Sequence, residues 1–460
     1  MKESYDVIVL GGGSAGIAAA IAAAKNGSST LLVEQGPIVG GDLLSGLPID
    51  GCLNARGEWV VGGVIREIFD ACEKRGGYIG PMSDFRALWV VCLDPHVFQF
   101  AIIDVLKKYG VDLLLYSFAD DVQMEDGRIT GITVINKLGH ITLKADVFID
   151  CTGDGDIAVK AGAPYEQGGA DRTDLQPVSL VYSLDNVDVP KLLEFARTEP
   201  ENISVGESDL VRQGRSNQEL ANALSDQGYA KVFFVANGPL MQKAIADGIL
   251  TATSLMATIP NSLQRSSVSI NSTRIPADAT RTDALSSAVY SLYEQIDQGV
   301  NFLRTRVPGF ENAVFSGVAP RIGIRETRRI MGEYVLQDED VLEARKSETG
   351  IGKGAHEYDI HGNGIGHVRK QLRDGGSYDI PYGVIVPQNV KNLYVAGRQL
   401  SATRGAHSSA RVMGTCMVMG EASGTAAAMC SKNHLLTREI DVQKLRKQLR
   451  AQGVVLDGTH

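Results

Sequence analysis

Cysteine is scarce in this chain, and none of it is paired by spacing. Six cysteines stand at positions 52, 72, 92, 151, 416 and 430 of 460 residues, with no C-x-x-C among them. That excludes both a zinc-ligand pattern and a disulfide framework. The scatter suits a reducing compartment, and a cytoplasmic location is the expectation. Basic runs are absent as well. Lys and Arg number 45 against 54 Asp and Glu, for a formal net charge of -9, and no lysine- or arginine-rich block interrupts that balance, so no nucleic-acid partner is expected. An unbroken apolar run of spanning length is missing too. Val7 to Ala24 is uncharged, yet only Lys2 is basic before it, against Glu3 and Asp6, and three consecutive glycines break the run where a signal-peptide core or spanning helix would continue. No leader and no membrane span are expected, and the chain should be soluble. Internal repeats and low-complexity tracts are also lacking.

Glycine is what the chain has in excess: 51 of 460 residues, against the usual roughly 7%. Many backbone positions must need a left-handed dihedral or a close approach. The length points to two domains, or three with an insertion. "YDVIVL" reads as a strand, "GGGSAGIAAAIAAAKNG" as a glycine turn and a small-residue helix ended by Gly27, and "STLLVE" as the next strand. This is one βαβ unit. From Val111 to Asp150 the segments "VDLLLYSF", "ITGITVIN" and "HITLKADVFID" predict a small antiparallel meander returning to a parallel strand. Residues 161–380 mix helical stretches such as "DALSSAVYSLYEQIDQGVNFLRTRV" with strands such as "SSVSINSTRI", which predicts an inserted α+β cap. "NLYVAG" is a further buried strand, and "VQKLRKQLRAQ" a polar terminal helix. The expected fold is α/β: a Rossmann-like domain of parallel sheet plus meander at 1–160 and 381–432, a substrate or cap domain at 161–380, and a helical tail at 433–460.

Gly11, Gly13 and Gly16 fit G-x-G-x-x-G, with Ser14 and Ala15 between them. The three glycines serve a tight turn, a close backbone approach to pyrophosphate, and helix-to-strand packing. Phosphates would meet the helix N-terminus. Glu34, at the end of the next strand, is placed to accept from a ribose hydroxyl pair, with Gln35 following it. Two later strands, "FIDCTGDGD" and "NLYVAGR", run into Thr152, Gly153 and Asp154 and into Gly397 and Arg398. An NAD domain has no use for these after a meander and a long insertion.

With the Gly40-Gly41 doublet, this arrangement resembles FAD-binding proteins of the glutathione reductase superfamily, GG-doublet branch. Within it the ordered set "CTGDGD", "IRETRRIMGEYVL", "YDIH", "IPYGVIVP" and "LYVAGRQLSATRGAHSSARVMGTCMVMGEASGTAAA" is similar to the family of FAD-dependent oxidoreductases. The resemblance implies FAD, with Gly11, Gly13 and Gly16 on pyrophosphate, Glu34 on the adenosine ribose, Gly40 and Gly41 at the pyrophosphate side of the turn, and the Ala119 backbone at the adenine edge. It also implies Thr152, Gly153 and Asp154 near the dinucleotide, Gly397 and Arg398 toward the ribityl chain or pyrophosphate, and the N-terminus of the "VMGTCMVMGEASGTAAAMC" helix at the flavin N1–C2 edge. His407 and Arg411, just before that helix, are similar to a segment of fumarate reductase and succinate dehydrogenase flavoproteins in which the arginine grips a carboxylate. His361 in "EYDIHGNG" and Arg325 or Arg328 in "RETRR" are further anchors or proton donors, with a structural cluster around Glu326 as the alternative. Cys416 and Cys430 read as small apolar residues, and Cys52 as a weak thiol candidate. "GIGKG" and "GNGIG" lack a flanking strand and helix and do not read as a second nucleotide site. No metal is expected. The implied activity is hydride transfer between flavin N5 and a small carboxylated substrate, with an unidentified electron donor or acceptor and a homodimer as the oligomeric alternative. A flavin monooxygenase and a non-redox FAD-binding protein are the rivals.

Overall fold

A computed structural model describes residues 2–169, 174–362, 366–458 and 460. Five parallel strands form the central sheet, in the spatial order Leu393–Val395, Ala145–Asp150, Tyr5–Leu10, Thr30–Val33 and Asp112–Leu114. Alternate side chains of a strand point to opposite faces. Val7 and Val9 accordingly enter one core, while Ile8 and Leu10 enter another. Covering both faces is what makes these inner strands continuously apolar.

On the first face, helix Ser14–Lys25 packs against helix Met413–Asn433. The contact is nearly backbone to backbone. A Cβ on Gly420 would lie 2.1 Å from the Ala15 carbonyl oxygen, and one on Gly424 2.1 Å from that of Ala19. Four-residue spacing keeps both glycines on one side of their helix. The opposite face carries the antiparallel meander Phe118–Glu125, Arg128–Asn136 and Gly139–Leu143, whose Ile129, Ile132 and Val134 share a core with Ile8 and Leu10.

The insertion builds its own layer. Strands Phe233–Val235, Leu255–Ser262, Ser267–Asn271, Tyr182–Asp185 and Val314–Val318 make an antiparallel sheet in that spatial order. Helices Val189–Thr198, Asn217–Gln227 and Thr282–Arg306 bury Leu192, Leu220, Leu292 and Phe302 in a core with Tyr182 and Ile270. The α/β architecture with an inserted α+β layer is thus as expected. Among the described residues no helix is long and apolar enough to cross a membrane.

Two local readings change. Asp112–Leu114 does not open the meander but pairs in parallel with Thr30–Val33 as the sheet edge. The meander's first strand is Phe118–Glu125, a mostly exposed "FADDVQME" with little apolar alternation to announce it. The other concerns "GIGKG", which is the buried strand Gly350–Gly354 paired with Tyr378–Pro381. A Cβ on Gly352 would lie 1.9 Å from Val418 Cγ1, so that glycine answers to packing on the Met413–Asn433 helix, while Gly350 and Gly354 make room for the Asp379 and Tyr378 side chains of the paired strand. Of "GNGIG", residues 363–365 lie outside the described residues. Leu336, Ile351, Ala355, Tyr378 and Ile380 join the core of the two packed helices, so the 161–380 segment divides between the two layers.

Gly420→Val should wedge the helices apart, lowering stability by about 1–3 kcal/mol or more in a thermal melt and releasing flavin; an unchanged melting temperature would show that the contact is not this tight. Glu421 offers a second test. Its Oε2 accepts the Val64 N–H at 2.9 Å, satisfying the first turn of helix Val64–Lys74, and burial pushes its carboxyl from 4.5 up to about 8. The folded chain therefore keeps a proton that the unfolded chain releases above about 4.5, and stability falls as pH climbs from there through about 8. Glu421→Gln should remove most of that decline, a difference on the order of 4 kcal/mol at alkaline pH, read as melting temperature against pH for both proteins.

Candidate active site

The strand Tyr5–Leu10 delivers its chain into a glycine turn that only glycine can make. Gly11 has φ +100, and a Cβ there would lie 2.3 Å from the Cys151 carbonyl oxygen. Gly16 presses on that turn, since its Cβ would lie 1.8 Å from the Gly11 oxygen. Gly13 is different: a Cβ would meet nothing within 4 Å. It faces a cavity of about 740 Å³ lined also by Gly11, Ser14 and Ala15. Helix Ser14–Lys25 begins at Gly13 with no side-chain cap and no acidic residue in its first turn. Its first N–H groups are thus available to an anion in the cavity.

The other expected cofactor residues gather around the same space. Glu34, Gln35, Gly41 and Ala119 line it, as do Thr152, Gly153, Asp154, Gly397 and Arg398. Gly40 and Gly16 do not line it and act from behind. Gly40 N–H donates to the Gly12 carbonyl at 2.8 Å, which ties the doublet to the turn. Glu34 does the same from its side chain: Oε2 accepts from Gly12 N–H at 2.6 Å and Oε1 from Gly36 N–H at 2.7 Å. Arg398 is held by Asp154 at 2.9 Å and by the Thr327 hydroxyl at 2.8 Å. Burial alone would raise the Asp154 carboxyl, but Arg398 and the hydrogen bond from Thr327 hold it below its ordinary value.

Helix Met413–Asn433 opens onto the cavity through Val412 and Met413, again with no side-chain cap and no acidic residue in its first turn. Two helix N-termini without a side-chain cap on one cavity suit a ligand with phosphates at one place and an electron-accepting edge at another. This donor set fits FAD.

A cationic cluster faces the same space. Arg274, Arg325 and Arg411 all line the cavity. Arg325 Nη1 donates to the Pro177 carbonyl at 2.7 Å and to Ser179 Oγ at 2.8 Å. Arg411 is more loosely held, 3.3 Å from the Asp359 carbonyl and 3.4 Å from Gln176 Oε1, with its carboxylate contact to Asp359 at 3.7 Å. Arg411 Nε and Arg274 Nη1 are buried without a hydrogen-bond partner among the described residues. Burial pulls Arg274 down to about 10, and burial with the like charges of Arg274 and Arg411 pulls Arg325 down to about 9. All three remain cations at neutral pH. Crowded cations with unpartnered donors call for an anion.

Their shared counter-ion is Asp359, on the hairpin Tyr358–His361 and His367–Lys370. His361 Nε2 lies 2.9 Å from one Asp359 oxygen and His367 Nε2 2.5 Å from the other, and the two rings stack at 4.6 Å. Burial would raise the Asp359 carboxyl, and the two imidazoles bring it well below its ordinary range. Burial also takes His361 well below the usual imidazole range, Arg325 and Arg274 adding to it against the pull of Asp359. A neutral His361 donates Nε2–H to the carboxylate, so its buried, unpartnered Nδ1 is an acceptor. Two imidazoles and a carboxylate resemble a metal-ligand set. Here both carboxylate oxygens are engaged and three arginines oppose a cation, so the trio supports the arginines instead.

His407 departs from expectation. It is fully buried in helix Arg404–Ala410, outside the cavity wall, with Nε2 2.8 Å from the Arg398 carbonyl oxygen. The helix turns its ring inward, and it positions the Gly397-Arg398 loop instead of meeting substrate. "RETRR" divides its work. Glu326, buried, takes Arg329 at 3.1 Å and Arg404 at 3.1 Å; Arg328 pairs with Asp156 at 2.9 Å; Arg325 alone is left to the cationic cluster. All six cysteines are buried and free. Burial raises the Cys52 thiol, which stands outside the cavity wall, and takes Cys416 up to about 12, so neither is a reactive thiolate. The arginine at 274, Asp359 and His367 were not anticipated, nor were the cavity-lining Asp50, Lys231 and His356. A charged residue inside apolar "GYAKVFF", or directly after the strand in "SINSTRI", is the signal that could have marked Lys231 and Arg274.

A nucleotide cradle, a second helix N-terminus and an anion site in one cavity define a flavoprotein oxidoreductase. The chain belongs to the FAD dependent oxidoreductase family, whose sequence model matches residues 6–449. FAD is its cofactor, and it is an FAD-dependent enzyme. It is 28% identical over 168 residues to a digeranylgeranylglycerophospholipid reductase of Thermoplasma volcanium, a match covering 33% of this chain and 40% of that one. It is 29% identical over 145 residues to a tRNA uridine 5-carboxymethylaminomethyl modification enzyme of Streptococcus pyogenes, covering 28% of this chain and 21% of the relative. The matches thus span less than half the length of these curated relatives. Among solved structures, a geranylgeranyl bacteriochlorophyll reductase-like protein of Thermoplasma acidophilum aligns over 98% of this chain and 84% of its own, at 15% identity and a TM-score of 0.46.

Gly13→Asp should fold and yet come out colourless, because its side chain has room but would place a carboxylate among the phosphate donors; bound-flavin absorbance beside a normal circular dichroism spectrum tests this. A yellow variant would remove Gly13 from the phosphate cradle.

Proposed function

We propose that the protein moves a hydride between its FAD and a small, carboxylated organic substrate. The observation that carries this is the trio Arg274, Arg325 and Arg411, half-buried on the wall of the cofactor cavity, in which Arg411 Nε and Arg274 Nη1 are donors that no described residue satisfies. A carboxylate is the anion whose two oxygens match a guanidinium fork. When bound, FAD supplies a two-electron, one-hydride exchange at N5. The chain does the rest. The glycine turn and helix Ser14–Lys25 hold pyrophosphate, and the N-terminus of Met413–Asn433 favours negative charge at the flavin edge. Arg411 and Arg274 bind and orient the substrate carboxylate, while Arg325, anchored on Pro177 and Ser179, keeps the site cationic. Asp359 with His361 and His367 fixes the hairpin beneath Arg411. The cap supplies Lys231, just before its sheet, and Phe233 and Ile259 from the sheet to the wall, which narrows the site and excludes water.

Anaerobic bleaching of the visible flavin band across a panel of organic acids, amines and alcohols tests the reading. Acids should bleach it, and Arg411→Ala should keep its yellow flavin while losing about 10-fold or more of the rate with the best acid. Bleaching by amines or neutral alcohols alone, or an unchanged rate in the variant, overturns it.

A further inference from the structure

Two side chains of opposite charge, Asp50 and Lys231, face the cavity without a hydrogen-bond or ion-pair partner among the described residues. Asp50 ends the loop that follows the Gly40-Gly41 doublet, and its main-chain carbonyl accepts the Gly414 N–H at 2.9 Å. That bond fixes it beside the N-terminus of helix Met413–Asn433. Its carboxylate oxygens accept no hydrogen bond among the described residues. Lys231 is 2% exposed and precedes the cap strand Phe233–Val235. Its Nζ lies 4.1 Å from the Phe233 ring centroid and likewise makes no hydrogen bond among the described residues. Burial acts on both in the expected senses, raising the Asp50 carboxyl and lowering the Lys231 ammonium.

The neighbouring polar groups are already committed. Asp84 Oδ1 accepts the N–H groups of Arg86, Ala87 and Leu88 at 2.9, 2.8 and 2.8 Å. Arg86 is paired with Glu207 at 2.6 Å, and His356 Nδ1 lies 2.9 Å from the Glu357 carbonyl. Buried carboxylates and ammonium groups left apart are costly, and such sites gather where a ligand completes them.

A carboxylate can only accept a hydrogen bond and an ammonium can only donate one. The group that satisfies both at once donates and accepts through a single atom, as a hydroxyl does. We infer that Asp50 and Lys231 form a hydroxyl subsite, so that the substrate is a hydroxy acid and its product the keto acid, the carboxylate end lying on Arg274 and Arg411. This deepens the carboxylate reading above and depends on it. On oxidation the hydroxyl O–H bond breaks and its proton passes to an Asp50 oxygen, the C–H bond breaks with its electron pair leaving as hydride to FAD, and the C=O bond forms. Lys231 keeps its N–H donated to that oxygen and stabilises the negative charge that builds there. Reduction of the keto acid runs through the same atoms in reverse.

The test titrates anaerobically reduced holoenzyme, in which a hydroxy acid is not turned over, by calorimetry. Short 2-hydroxy and 3-hydroxy carboxylates are each compared with the carboxylate lacking the hydroxyl. In the wild type the better hydroxy acid should bind about 10-fold or more tightly than its counterpart. Asp50→Asn and Lys231→Met should both retain FAD and bind the plain carboxylate as before, with the preference reduced to about twofold or less. Asp50→Asn should also slow bleaching of oxidised enzyme by that acid about 100-fold. Equal binding of the two acids by wild type, or a preference that survives both substitutions, overturns the hydroxyl subsite and leaves the carboxylate site standing. Failure of every carboxylate to bind wild type is the separate outcome that removes the carboxylate reading, and this inference with it.

Discussion

The close contact between helices Ser14–Lys25 and Met413–Asn433 is the constraint on which the site depends. Two helices can approach this far only where one presents bare backbone, and Gly420 and Gly424 do so against the Ala15 and Ala19 carbonyls. The approach aligns two helix starts, separated by some four hundred residues of chain, on one cavity. In the proposed function one start takes phosphate and the other the flavin edge. Gly352 repeats the device on another side of the second helix, where Val418 leaves no room for a side chain. The excess of glycine in the chain is in good part an excess of such contacts.

Electrostatics organises the other half of the cavity. Three arginines sharing one carboxylate would be poorly placed in a protein interior unless a second anion arrived. Asp359 meets part of the need, and it is itself held ionised by two imidazoles that stack on each other and each present Nε2 to one of its oxygens. His361 stays neutral because burial, with Arg325 and Arg274 adding to it, penalises a further positive charge. The histidine is therefore an acceptor beside the arginines and adds no charge of its own to their grip. The proposed function separates charge binding, on the hairpin and cap, from charge stabilisation at the helix start.

How much of this was legible in the residues differs by level. The βαβ unit, the glycine turn and the wall made by Gly11, Gly13, Glu34, Thr152, Gly153, Asp154, Gly397 and Arg398 could be read from local order, because a turn, a strand end and a helix start are short-range events. Phe118–Glu125 could not, since an exposed strand carries little apolar alternation. His407 was misplaced for another reason. Its four-residue spacing from Arg411 and its position before the helix were read correctly, but the direction of its ring was not, and that is settled by the Arg398 carbonyl it meets.

The sequence alone determined the parallel sheet and the glycine turn, because each follows from the conformations that glycine, alanine and β-branched runs allow over a few residues, and its resemblance to the FAD-dependent oxidoreductases implied the cofactor class. Only the tertiary structure decided what the cavity does with charge. Arg274 and Lys231 come from the cap, Asp359 and the two histidines from a hairpin, and Asp50 from the loop behind the glycine doublet. No spacing rule links these segments. They meet because the inserted sheet folds over the cofactor helices, and burial then makes each charge dependent on neighbours that lie far away in the chain.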